Sequence, residues 1–554
     1  MKYWRRSVVN ALRSHGLLVV LFFWVASAWS SDFESAKGEA IYRQGLLPSG
    51  ALLRGEREAG MRIEGIKAAC MTCHRPSGLG TTEGRIVVPP IIGKYLFRSH
   101  STNVKDLSLP HVVGYRSTRE PYTDETLALA IREGRAPNGR PLNYLMPRFQ
   151  LDNASMASLV AYLKNLGTQA VPGVTDDTLH FATIITPDTD PVQRKAMLEV
   201  MERFFADKNS FIRGGQRPMH ATREIEYRVS RRWQLHVWQL TGSPELWAQQ
   251  LHAKLAAEPV FAVISGLGGR TWAPIHRFCE EAKLPCLLPN VELPVVAEGD
   301  FYPVYFSRGV LLEADLMASL LAEKMAGSSE QNLPQRLVQI YRSGDIGEAA
   351  AQAMGKAATT LGLKVENRPL SANATDHKDV AQALGQLTRG DALVLWLRPA
   401  DLAALPPVMP SLASVVMSGT LADLERAPLP ADWRLHTQMT YPFDLPEGRK
   451  VRMNFPLSWF KIKQIPLVAE RVQTDTYIAC GVLAETLTEM LDSFVRDYLV
   501  ERFEVMLDHR LVNGYYPRLS LAPGQRFASK GGYIVRFADS AGPALLPQGD
   551  WVTP

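Results

Sequence analysis

At 554 residues the chain exceeds what one hydrophobic core supports, so two or three domains are expected. Its net charge of +5 includes Lys2, Arg5, Arg6 and Arg13, which lie in a first stretch of 28 residues without an acid. Setting those four aside leaves +1, which removes the electrostatic case for nucleic acid or anionic lipid as a partner.

The same four bases precede an apolar run from Leu17 to Ala28 with small residues at Ala26 and Ala28, the layout of a secretory signal over residues 1–28. The mature chain then begins near Trp29. The alternative is an uncut membrane anchor, for which the run is shorter than the ~20 residues a bilayer needs. The Arg5-Arg6 pair is ordinary for such a basic segment. No later stretch approaches a membrane span, so a soluble, periplasmic protein is expected.

Cys70-Met71-Thr72-Cys73-His74 is a C-x-x-C-H sequence, the attachment pattern of c-type haem. A short helical turn aims both thiols at one porphyrin, and the adjacent imidazole of His74 falls to the iron. A thioredoxin-like C-x-x-C would open a helix after a strand, and the residues before Cys70 do not read that way. A zinc site would need a second ligand pair nearby, and there is none. One covalent haem is therefore expected on Cys70 and Cys73. For the sixth iron position Met146 is favoured over Met71, Met156, His100 and His111. It sits in Asn143-Tyr144-Leu145-Met146-Pro147, which the proline keeps out of a helix. The segment that follows, Leu151 to Gly167, reads as a helix with Asp152 as N-cap and Gly167 as stop.

On these residues the stretch 35–167 resembles a class I cytochrome c domain. An opening helix carries Gly38 and Tyr42, a middle helix follows Tyr122-Thr123-Asp124-Glu125 and ends at Gly134, and the closing helix carries Tyr162. The resemblance implies an all-α fold, His74 and Met146 as axial ligands, and one-electron transfer without enzyme chemistry. It also implies a periplasmic redox protein as partner, on the dehydrogenase or the oxidase side. About 28 residues separate Tyr42 from Cys70, more than that family usually has, and they read as a surface loop through Pro48-Ser49-Gly50 and Gly55.

Residues 168–178, with Pro172 and Gly173, read as a linker. Strand and helix signals then alternate: strand Phe181 to Ile185, strand Val260 to Ser265, helix Ala273 to Lys283 and strand Pro285 to Leu288. After a helix around Leu311 to Met325 come strand Arg336 to Tyr341, helix Glu348 to Leu361, strand Leu363 to Glu366, helix Lys378 to Leu387 and strand Ala392 to Leu397. Repeated β-then-α units imply parallel sheets covered on both faces. Blocks at about 180–325 and 335–440 make two lobes. A helix through Cys480 to Val495 and a hairpin around Gly531 to Phe537 come later, ahead of a tail at 539–554. Trp233, Trp238 and Trp247 are read as core or strand-face residues, with a contact surface as the other option. Cys279 and Cys286 fit either a bridge or the core.

Over 179–538 the pattern Phe261-Ala-Val-Ile-Ser-Gly-Leu-Gly-Gly, then Lys283-Leu-Pro-Cys-Leu-Leu-Pro and Gln339-Ile-Tyr-Arg-Ser-Gly-Asp-Ile-Gly-Glu, resembles type 1 periplasmic binding proteins of the branched-chain amino-acid kind. The resemblance implies a two-lobed α/β domain with a small molecule between the lobes, on loops holding Asp188, Ser265, Gly268, Ser343 and Asp345, and near Arg398-Pro399. The Gly-rich stretch usual after the first strand is replaced here by Pro187-Asp188-Thr189-Asp190-Pro191, and the ligand is left unnamed. The reading is thus a multidomain chain that is either an electron carrier with a sensing or docking domain, or a solute receptor in which the haem is secondary.

Overall fold

The computed structural model describes residues 35–58, 60–83, 86–97, 120–213, 231–327, 334–372, 377–491, 493–510, 513–522 and 524–554. The expected signal segment, His100 and His111 lie outside them. Two compact units emerge, one running to Val171 and taking in Glu489–Tyr498, the other formed by Pro172–Thr488 and Leu499–Pro554.

In the first unit a helix at residues 35–44 (α1) crosses the closing helix Asn153–Asn165 (α5). The crossing is close because residue 38 is glycine: a Cβ there would stand 2.1 Å from the Ser158 carbonyl oxygen and 2.6 Å from Tyr162 Cβ. Beside it the Tyr42 and Tyr162 rings pack at 5.3 Å. Between these come the short helices Met71–His74 (α2) and Gly93–Leu96 (α3) and the middle helix Asp124–Glu133 (α4). α4 opens on a reciprocal cap, Thr123 Oγ1 accepting from Thr126 N at 3.2 Å while Thr126 Oγ1 accepts from Thr123 N at 2.8 Å. It stops at Gly134, whose φ of 70° is the left-handed conformation that favours glycine. Asp152 caps α5 by accepting from Ser155 N at 2.7 Å.

This unit departs from an all-α expectation. The residues read as a loop before the haem motif form a hairpin, Arg54–Glu56 (β1) with Arg62–Glu64 (β2), and β1 also pairs antiparallel with Arg148–Gln150 (β5). Thr81–Glu83 (β3) and Ile86–Val88 (β4) add a second small pair. The physical signal is alternation: Arg54 and Glu56 point out while Leu53 and Gly55 point in, which is the strand period.

The second unit holds two sheets. In the first lobe Thr178–Ile185 (β6), Arg232–Gln239 (β7), Ala262–Ile264 (β8), Cys286–Leu287 (β9) and Pro303–Val304 (β10) lie in the order β10-β9-β8-β6-β7, all parallel. In the second, Arg336–Arg342 (β11), Lys364–Leu370 (β12), Asp391–Trp396 (β13), Ser414–Ser418 (β14) and Thr437–Tyr441 (β15) are parallel, in the order β12-β11-β13-β14-β15. Tyr533–Phe537 (β16) and Leu545–Pro547 (β17) extend that sheet antiparallel, so 539–554 is woven into the sheet edge and not a free tail. β13 is buried at every position, as a strand with helices on both faces must be.

The lobes do not divide at residue 325. Val310, Ala314, Met317 and Leu321 of the helix Val310–Gly327 pack with Leu337, Met354 and Val394, placing that helix in the second lobe. The chain returns to the first lobe through Pro446–Ile462 and Glu470–Met490, where Phe460 and Ile465 pack on Val200 and Tyr477 meets Phe204. Trp233, Trp238 and Trp247 are buried, and Cys279 and Cys286 are core residues of the first lobe. The second lobe also buries Glu313, which accepts from Gly419 N, Thr420 N and Thr440 Oγ1.

Candidate haem site and interlobe cleft

Cys70 precedes α2, and Cys73 and His74 lie on it, so all three fall within one helical turn. Neither cysteine is bridged. His74 is buried, and its Nδ1 lies 2.9 Å from the Pro89 carbonyl oxygen. A carbonyl only accepts, so Nδ1 carries the proton and the lone pair is left on Nε2, the arrangement an iron-binding imidazole needs. Desolvation lowers the His74 pKa, which keeps the ring neutral, and it pushes the Cys70 thiol up to about 12. The next residue is tied down as well: Tyr42 Oη donates to the Arg75 carbonyl oxygen at 2.7 Å, linking α1 to the end of the motif. Cys70, Met71 and Met146 all pack on one apolar cluster that includes Leu53, Leu127, Phe149 and Leu159. Met146 lies in a turn, its N–H bonded to Asn143 O at 3.0 Å. Two thiols, a neutral buried imidazole with Nε2 available, and an apolar surround fit a covalently held haem.

In the second unit a cleft of about 280 Å³ is lined by Asp188, Gly268 and Asp345 together with Arg270, Asn290, Glu292, Arg398 and Arg471, and not by Ser265 or Ser343. Ser265 is fully buried, its hydroxyl donating to Thr476 Oγ1 at 2.9 Å and accepting from Asn290 Nδ2 at 3.1 Å. Ser343 lies beyond β11 with its N–H on Leu370 O. Asp188, Glu292, Asp345, Arg398 and Arg471 are already paired within the protein. Asp188 accepts from Arg270 N at 2.8 Å, and Arg398 forks onto Asp345 at 2.9 and 3.0 Å. Arg398 also reaches Glu292 at 3.1 Å, and Arg471 reaches the same carboxylate at 3.2 Å, so Glu292 of the first lobe ties down a guanidinium of the second. In an adjoining recess Asn290 Oδ1 and Asp475 Oδ1 are buried without a hydrogen-bond partner among the described residues. Asn290, Glu292, Arg471 and Asp475 went unnoticed in the sequence. Asn290 and Glu292 just follow the expected strand Pro285–Leu288 and were findable as strand-end positions. Arg471 and Asp475 reach the cleft only because their helix folds back from residue 470.

The cytochrome c family model matches residues 64–167. The chain thus carries a cytochrome c domain over those residues, and such a domain implies a covalently bound haem. Comparison with curated protein sequences gives no match. Among solved structures, a fatty acid ABC transporter substrate-binding protein from Thermomonospora curvata is similar at 17% identity and a TM-score of 0.49, covering 70% of this chain and 95% of its own. A leucine-binding protein from Thermotoga maritima is similar at 14% and 0.47, covering 68% and 99%. A branched-chain amino acid substrate-binding protein from Streptococcus pneumoniae, solved with isoleucine, is similar at 11% and 0.47, covering 68% and 100%. No ligand follows from likeness at that distance. Among the described residues no helix is long and apolar enough to cross a membrane.

Proposed function

We propose that the chain is an exported carrier of single electrons, with one haem held by Cys70 and Cys73, His74 and Met146 as its axial ligands, and a two-lobed domain that serves for sensing or docking. The observation that supports this most directly is the His74 Nδ1 to Pro89 bond, which presets the imidazole for iron. When bound, haem would supply the one-electron iron couple; Cys70 and Cys73 would hold it, His74 and Met146 would be the residues offered to its iron, and the Leu53, Leu127 and Leu159 cluster on which Cys70 and Met146 pack would give it apolar surroundings. No substrate chemistry is required, and the partners are other exported redox proteins. The test is the optical spectrum of the matured protein, oxidised and reduced, beside Met146→Ala. The expected result is a weak far-red sulfur-to-iron band in the oxidised protein that the variant loses. A band absent from the wild type, with an unchanged variant, refutes Met146 ligation.

A second reading, a solute receptor with a secondary haem, is favoured by the buried unpartnered oxygens of Asn290 and Asp475 beside the cleft. Thermal shift against a metabolite panel tests it, since a ligand at 100 times its dissociation constant stabilises by about 2.7 kcal/mol. A panel without response leaves docking as the domain's role.

A further inference from the structure

The hairpin β1–β2 lies against the segment that bears Met146. β5 starts two residues after Met146 and pairs along its whole length with β1: Arg54 with Gln150, Gly55 with Phe149, Glu56 with Arg148. β1 in turn pairs with β2, and the register sets Ile63, Gly55 and Phe149 in one row across the sheet. That row is the inner face, for Gly55 and Phe149 are buried and Ile63 joins the cluster that holds Cys70 and Met146. The outer face is charged, with Arg54 near Glu64 at 3.7 Å and Arg62 near Glu56 at 3.9 Å. Arg148 closes the segment on itself by donating to the Met146 carbonyl oxygen.

Gly55 is the contact point. A Cβ there would lie 3.0 and 3.1 Å from Phe149 Cδ1 and Cε1 and 3.2 Å from Pro147 Cβ, so the ring and the proline that flank the methionine turn rest on a backbone without a side chain. Residue 55 has an ordinary negative φ, so the glycine is needed for space and not for conformation. The hairpin's first strand also precedes residue 64, where the cytochrome c match begins.

We propose that this hairpin is a brace for the Met146 turn and that Gly55 is a positioning residue for the iron's methionine ligand. The proposal rests on the reading of Met146 as that ligand. A strand paired to β5 removes the freedom the turn would have if it were anchored by α5 alone, and so it holds down the fraction of molecules in which the thioether has left the iron.

The experiment uses the full-length, haem-loaded protein and its Gly55→Ala and Gly55→Val variants, with imidazole as the probe for an opened sixth position. The apparent affinity of such a probe scales with the population of the open form. Gly55→Val should bind imidazole at least about tenfold more tightly than the wild type, Gly55→Ala should fall between them, and the far-red band should weaken in the same order. Adding Phe149→Leu to Gly55→Val makes room for the new side chain and should restore the band, which a merely structural defect would not allow. An imidazole affinity and band unchanged in Gly55→Ala and Gly55→Val overturn the brace while leaving Met146 ligation intact. If Gly55→Val fails to fold, the graded change in Gly55→Ala decides alone. A wild type that lacks the band overturns Met146 ligation, and the brace with it.

Discussion

Asp475 should make the second unit less stable as pH rises, and replacing it by asparagine should remove that dependence. The carboxyl is 1% exposed, its Oδ1 has no hydrogen-bond partner among the described residues, and the Arg471 guanidinium one helical turn away comes no closer than 4.0 Å. Burial therefore outweighs the attraction of Arg471 and raises its pKa from 3.8 to about 7. Because the folded value lies above the unfolded one, the folded state keeps its proton longer. Between about pH 4 and pH 7 the unfolded chain ionises first, so stability falls with rising pH; above about pH 7 the loss is complete. At about 1.36 kcal/mol per pH unit that interval corresponds to about 4 kcal/mol. Asp475→Asn keeps a polar group that still lacks a full set of partners, so a gain of roughly 2–4 kcal/mol at pH 8 is expected, shrinking to near zero at pH 4. Urea unfolding followed by tryptophan fluorescence reads the right unit, since every tryptophan among the described residues lies in it. Taking the difference between variant and wild type cancels groups common to both. A stability difference that stays constant from pH 4 to pH 8 would refute the reasoning.

Gly38→Val drives a side chain into the Ser158 carbonyl at the α1–α5 crossing, and should cost the first unit at least about 1–3 kcal/mol, measured as a lower melting temperature in Soret circular dichroism. Glu292→Gln removes the carboxylate that Arg398 and Arg471 share, while Arg398 keeps Asp345; a loss of about 1–3 kcal/mol in urea unfolding is expected, with faster amide exchange in the cleft loops. Trp396→Phe leaves the buried Gln339 Oε1 without the indole that donates to it at 3.0 Å, so a loss of about 1–3 kcal/mol is expected, and an unchanged midpoint would place another donor there.

The haem motif was legible because its chemistry is contiguous: five residues, one turn, two thiols and an imidazole. The helix ends at Asp152 and Gly134 were legible too, since those residues act on their own neighbours. The parallel sheets showed in apolar runs such as β13, whose ends fell within one residue of the expected strand. What escaped was long-range. Nothing local announces that Arg54–Glu56 pairs with Arg148–Gln150, ninety-odd residues on, or that a glycine there is needed for a phenylalanine ring. The crossing of Val310–Gly327 into the second lobe was hidden for the same reason, because an apolar helix face does not name the sheet it will cover.

The cleft poses the opposite problem to the haem site. Its loops hold the residue types a ligand would need, yet Asp188, Asp345, Arg398 and Arg471 are already engaged by protein partners. A ligand that approached Glu292 would have to replace two guanidinium contacts, each a charge-assisted bond of about 1.5–3 kcal/mol, before gaining any new one. A solute with its own cationic group facing Glu292, or an anionic group facing Arg398 and Arg471, could make that exchange; an uncharged one could not. A response confined to charged solutes in the thermal-shift panel is therefore the outcome that would favour the receptor reading, and a response to apolar solutes would mean that binding occurs away from these residues.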